Sequence, residues 1–155
     1  MADGALSPIA SIEAAIKEVA TTEEKYMLAD QVIRGVPFKV FKNGPRNLRD
    51  VLDLCIVYGD ADFIVYEHER YSFADVYQRT HQLADALIKV YGVKPGDRVA
   101  LLMRNLPEYP MLFMALASIG AVTVFVNSWW TSRELEHAFE DCDAKLAFVD
   151  DARAR

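Results

Sequence analysis

Apolar positions along this chain change their spacing at about residue 59. Before it, Ile9, Ile12, Ile16, Val19 and Ala20 recur at intervals that share one helix face, with Ser7 and Pro8 placed as cap and first helical position. Residues 34–46 contain Gly35, Pro37, Gly44 and Pro45 and read as a loop. A short helix on Leu48, Val51, Leu52 and Cys55 follows. None of this part carries recognisable chemistry.

After Gly59 short strands and helices alternate. Residues 63–66 and 70–72 form a predicted small hairpin around Glu67, His68 and Glu69. Ser72 with Asp75 is a capping-box pattern, and the helix it starts runs to Tyr91 with Val76, Thr80, Leu83, Leu87 and Val90 on one face. A turn at 94–97 feeds a strand at 98–103. A second helix opens at Asn105, Pro107 and Glu108 and stops at Gly120. A strand over 121–126 comes next. Thr131 with Glu134 starts a third helix, whose Leu135, Ala138, Phe139 and Cys142 share a face, and a strand at 145–149 follows. Helices alternating with short apolar strands imply parallel pairing through right-handed crossovers. The predicted fold is therefore α/β: a partial doubly wound parallel sheet of about three strands with flanking helices, preceded by a helical lead-in and a small hairpin. The chain divides accordingly into a lead-in, 1–59, and the first part of an α/β domain, 60–155.

Residues 109–132 contain no charged side chain, enough to span a bilayer by length alone. Pro110 in a first helical turn, Gly120 and the β-branched and aromatic run 122–126 favour a buried helix, a turn and a buried strand instead. No transmembrane segment is expected. The 155 residues are 52% apolar and 26% charged, an ordinary globular composition. A formal charge of −6 offers no basic footprint for a phosphate backbone, so nucleic acid is not an expected partner. Cys55 and Cys142 form neither a disulfide framework nor a CxxC pair, which points to a reducing cytoplasm. The opening Met1-Ala2-Asp3-Gly4 has an acid where a secretion signal needs a base.

Ligands of a doubly wound sheet collect at the carboxyl ends of its strands. The three predicted exits deliver Arg104 and Asn105, then 127–130 with Trp129 and Trp130, then Asp150, Asp151 and Arg153. Asn105 and Thr131 are read as helix caps. The two tryptophans either line a cleft or fill space between sheet and helix, and adjacent side chains of an extended segment cannot both point inward. Asp150 and Asp151 suit a strand-end turn better than a Mg²⁺ or phosphoacceptor site. His68, His81 and His137 have no partner at metal-ligand spacing. No nucleophile elbow, Walker loop or Gly-x-Gly-x-x-Gly is present, and acids two apart such as Glu134 and Glu136 do not face each other. No catalytic or metal-binding residue is assigned.

Five motifs in fixed order carry a family resemblance: Tyr-Ser-Phe-Ala-Asp at 71–75, Gly-Val-Lys-Pro-Gly-Asp-Arg-Val at 92–99, Arg-Asn-Leu-Pro-Glu at 104–108, Ile-Gly-Ala-Val at 119–122 and Asn-Ser-Trp-Trp-Thr-Ser-Arg-Glu-Leu at 127–135. Together they resemble the opening of the AMP-forming acyl-CoA synthetases of the adenylate-forming family, on the fatty-acyl and aryl-acid side rather than that of peptide-synthetase adenylation domains. The resemblance implies a parent enzyme that joins a carboxylic acid, a fatty acid by preference, to ATP, releases pyrophosphate and passes the acyl group to CoA, with Mg²⁺ offsetting phosphate charge. The family's phosphate loop, Mg²⁺ ligand, ribose-binding aspartate and C-terminal lysine have no counterpart here. The chain is accordingly expected to be an N-terminal piece of a longer ligase, inactive alone, binding none of these cofactors tightly and partnered by the remaining polypeptide. The resemblance also places Arg153 and Arg155 near where the acetate-activating branch meets the CoA nucleotide. The alternative is a stand-alone, non-catalytic α/β module that binds a nucleotide or a partner through its strand exits; such a module would melt cooperatively and be stabilised by nucleotide without exchange activity.

Overall fold

The structure is a computed structural model that describes residues 8–154, with the side chains of Pro8 and Ile9, like Ser7 and Arg155, outside the described set. Two compact units divide between Arg46 and Asn47.

The first unit opens with α1, Pro8–Thr22, in whose last turn the hydroxyls of Thr21 and Thr22 bond back to the carbonyls of Lys17 and Glu18 at 2.8 Å each. A 3₁₀ turn at Glu24–Tyr26 leads into β1, Leu28–Ile33, paired antiparallel with β2, Val36–Phe41. Ile16, Val19 and Ala20 of α1 line an apolar hollow of about 400 Å³ with Tyr26, Leu28 and Phe41. The stretch 34–46, expected as a loop, thus contains a strand. Its turn is Arg34 at φ 51° and Gly35 at φ 82°, both positive as a two-residue hairpin of the right twist requires. Arginine in that conformation lacks the usual Asn-Gly or Asp-Gly signal. Pro37, which argues against a strand, sits opposite Val32 one place from the closing pair Ile33 and Val36, where the ladder turns its nitrogen outward.

In the second unit α2, Leu48–Asp53, is capped by the Asn47 side chain on the Asp50 N–H, and α3, Cys55–Tyr58, continues it. The hairpin β3, Asp62–Tyr66, and β4, Glu69–Ser72, matches the predicted one. Ser72 and Asp75 make the reciprocal capping box at the start of α4, Phe73–Lys89. Val76, Thr80, Ala84 and Leu87 are its buried face; Val90, expected there, lies beyond the helix and is exposed. Then come β5, Arg98–Leu102; α5, Glu108–Ser118; β6, Val122–Phe125; α6, Ser132–Cys142; and β7, Leu146–Val149.

The three strands form one parallel sheet in the order β6-β5-β7. β5 is central, and Val99 to Leu102 are all buried, the continuous apolar run of a strand covered on both faces. Val99 and Leu101 pack with Ala84 and Leu87 of α4 and Leu112, Ala115 and Leu116 of α5. Ala100 and Leu102 pack on the other face with Val126 and with Leu135 and Phe139 of α6. Helices on both faces make the sheet doubly wound.

The Pro-Gly-Asp-Arg-Val motif works at the amino ends of the strands. Asp97 accepts the Lys94 N–H and the Lys145 ammonium, both at 2.8 Å, and Arg98 reaches the Asp143 carboxylate at 2.6 Å. These bonds draw β7's entrance against β5's. The Lys145 ammonium, first of several causes, holds the Asp97 carboxyl below the usual carboxylate range.

Candidate functional site

Parallel registry places the exits of β5, β6 and β7 side by side, with Leu101 opposite Phe125 and Leu102 opposite Val149. Immediately past β7, Asp150 is buried and its carboxylate fully engaged. It accepts the Arg104 N–H at 2.8 Å and the Arg104 Nε–H at 3.2 Å, while its other oxygen takes the Ala152 N–H at 3.0 Å. The Arg104 N–H, outweighing burial, holds this carboxyl below its ordinary value. Asp150 therefore ties the exit of β7 to the exit of β5.

The turn after Asp150 is closed by the Arg153 N–H on the Asp150 carbonyl at 2.8 Å. It carries the Arg153 guanidinium to 4.9 Å from the centre of the Trp129 ring, within cation–π range. The Arg153 Nε–H is buried and has no hydrogen-bond partner among the described residues. On the exit of β6 Asn127 accepts the Trp129 N–H through its side chain at 2.9 Å and the Trp130 N–H through its carbonyl at 3.2 Å. Trp129 is 79% exposed and Trp130 41%. Neither indole is core filling: one stacks under Arg153, and the other lines a hollow beside Phe125, His137 and Cys142. The pairing of Trp129 with Arg153 has no local sequence signal, because it joins exits separated by β7's skip across β5.

The two expected caps differ. Thr131 directs its N–H and hydroxyl to the Glu134 carboxylate at 2.7 and 2.8 Å, fixing the start of α6. Asn105 caps nothing: the position before α5 is Pro107, without a side-chain bond, and the Tyr109 N–H goes to the Leu106 carbonyl. The helix begins two residues later than Asn105 could reach.

A divalent cation does not fit here. No group of three His, Cys, Asp or Glu converges among the described residues, and the Asp150 oxygens already accept three N–H bonds. The exits instead offer a flat exposed ring, a cation and one unmatched donor, a set suited to an anionic ligand with an aromatic portion. Arg155, paired with Arg153 in the sequence expectation, lies outside the described residues.

The AMP-binding enzyme family matches residues 55–155. A long-chain-fatty-acid–CoA ligase of Escherichia coli O6:H1 is 34% identical over 115 residues, covering 74% of this chain and 20% of the ligase. Long-chain fatty acid transport protein 6 of Mus musculus is 38% identical over 87 residues, 56% of this chain and 14% of that protein. The Mycobacterium tuberculosis fatty acyl CoA synthetase superposes with a TM-score of 0.66 at 29% identity, covering 70% of this chain and 22% of that structure. The chain thus spans about a fifth or less of the curated relatives it matches. With that match across its α/β unit and the doubly wound sheet beneath it, the chain belongs to the AMP-binding enzyme family.

Proposed function

We propose that this chain supplies the N-terminal α/β portion of an ATP-dependent acid–CoA ligase acting on a fatty acid. The observation that carries the reading is the 34% identity to the long-chain-fatty-acid–CoA ligase over 115 residues, beside a family match at residues 55–155 that contains the five ordered motifs. In such a ligase ATP supplies an adenylate leaving group to the acid's carboxylate and CoA supplies the accepting thiol. The described residues contribute no acid set for Mg²⁺, and no step is assigned to them through it.

The proposed role of Arg153 is to meet the nucleotide end of CoA. Its guanidinium is a fixed cation whose Nε–H lacks a partner, and a phosphate oxygen would accept that bond; the exposed Trp129 face beside it would receive the adenine. Arg155 is assigned the same nucleotide. Both thiols are free, Cys55 buried and Cys142 half-buried, as suits a reducing cytoplasm, where we place the protein. Among the described residues no helix is long and apolar enough to cross a membrane.

Acid-dependent ATP–pyrophosphate exchange tests the reading. The 155-residue chain alone is expected to give none, and a polypeptide continuing it to the length of its relatives is expected to exchange with fatty acids and to release AMP on adding CoA. In that polypeptide Arg153→Gln is expected to raise KM for CoA about ten-fold, the loss of one charge-assisted bond, with exchange unchanged. Exchange by the short chain overturns the division of labour. Equal loss of exchange and CoA transfer removes Arg153 from the CoA site. No exchange by any longer polypeptide, with a CoA-induced rise in Tm, returns the chain to a binding module.

A further inference from the structure

Three polar side chains outside the strand-exit cluster, without a partner in the fold, converge with one oriented histidine on a single cleft. It measures about 570 Å³, the size range of small-molecule sites, and shares no lining residue with the exits. Arg49 of α2 faces it across from Gln78, His81 and Gln82 of α4. Arg49, Gln78 and Gln82 have no hydrogen-bond or ion-pair partner among the described residues. The His81 ring is oriented: it lies 4.2 Å from the Tyr77 ring, and its Nδ1 is 2.9 Å from the Tyr77 carbonyl. A carbonyl only accepts, so Nδ1 carries a proton, and this tautomer of the imidazole leaves Nε2 as the nitrogen that can accept from a ligand. Asp85, the acid on the rim, is already paired with Lys89 at 2.6 Å. That leaves Arg49 as the uncompensated charge, in a protein of net charge −6. Tyr77, Ile88 and Ile119 supply apolar wall.

We propose that this cleft binds a small aromatic carboxylate bearing a hydroxyl group. The carboxylate would lie on Arg49 with the glutamine amides as further donors, the ring against the apolar wall, and the hydroxyl would donate to His81 Nε2. This site is separate from the acid-activation reading and does not depend on it.

The test is titration of the 155-residue chain, followed by amide and side-chain NMR shifts, with 4-hydroxybenzoate, benzoate and phenol. 4-Hydroxybenzoate is expected to bind about ten-fold more tightly than either probe lacking one group, with shifts at Arg49, Gln78, His81 and Gln82. Arg49→Met is expected to lower its affinity about ten-fold to that of phenol. His81→Phe keeps the ring stack with Tyr77 and is expected to erase only its advantage over benzoate. Trp129→Ala is expected to change nothing. Absence of saturation to about 10 mM, shifts centred on Trp129 and Arg153, or equal affinities of the three probes would overturn the proposal.

Discussion

Asp150 holds one carboxylate between two strand exits, and its environment sets a pH signature. Its N–H donors hold the carboxyl below the ordinary 3.8, whereas the unfolded chain titrates at that ordinary value. A depressed folded value means the native state binds fewer protons, so the contribution is complete above about pH 4 and disappears as pH falls through the folded value. Asp150→Asn is expected to lower Tm at pH 7 and to narrow its gap to the parent chain below pH 4, measured by thermal melts across pH 2–7; a gap independent of pH would refute the assignment. Asp150 and Arg153 were legible as strand-exit residues. Their partners were not, because Arg104 stands far away in sequence and meets Asp150 only once β7 pairs with β5, and Arg153 reaches Trp129 across the exit of that central strand.

Elements whose signals are local were the most legible. The capping box of α4 needs only Ser72 and Asp75, three residues apart, and both bonds form. Ser72→Ala is expected to cost about 1 kcal/mol by denaturant titration. Gly120 ends α5 at φ 76°, and a Cβ there would stand 3.4 Å from that of Pro95, at the near edge of van der Waals contact, so Gly120→Ala adds backbone strain chiefly. It is expected to cost about 1 kcal/mol or more, with Gly35→Ala, which meets no neighbour, reporting the backbone share alone. Signals failed where a residue departs from its type's habit. Arg34 at positive φ and Pro37 in a strand concealed β1–β2, and Pro107 at the head of α5 displaced the cap expected of Asn105.

Across the whole molecule stability is unevenly distributed. The run expected to form a buried strand, 122–126, leaves Val122 47% and Phe125 54% exposed because β6 lies at one side of the three-stranded sheet, whereas the burial of Val99 to Leu102 in the central strand is complete or nearly so. Leu101→Ala, at 0% exposure, is expected to cost about 2–5 kcal/mol, a large share of the 5–15 kcal/mol that holds a typical domain. Among its described residues the first unit has no comparable strand. Its β1–β2 ribbon has two members, and Val32, Phe38 and Phe41 are 69%, 48% and 57% exposed. A two-stranded ribbon with so little apolar cover is marginal by itself. Hydrogen exchange should therefore be slowest at Val99–Leu102 and faster by about two orders of magnitude or more across Leu28–Phe41. Leu101→Ala should accelerate exchange throughout β5, β6 and β7 together, because those strands open as one sheet, while leaving the fast β1–β2 amides unchanged. Equal protection of β1–β2 and β5, with both accelerated by the same substitution, would mean that one cooperative core holds both units.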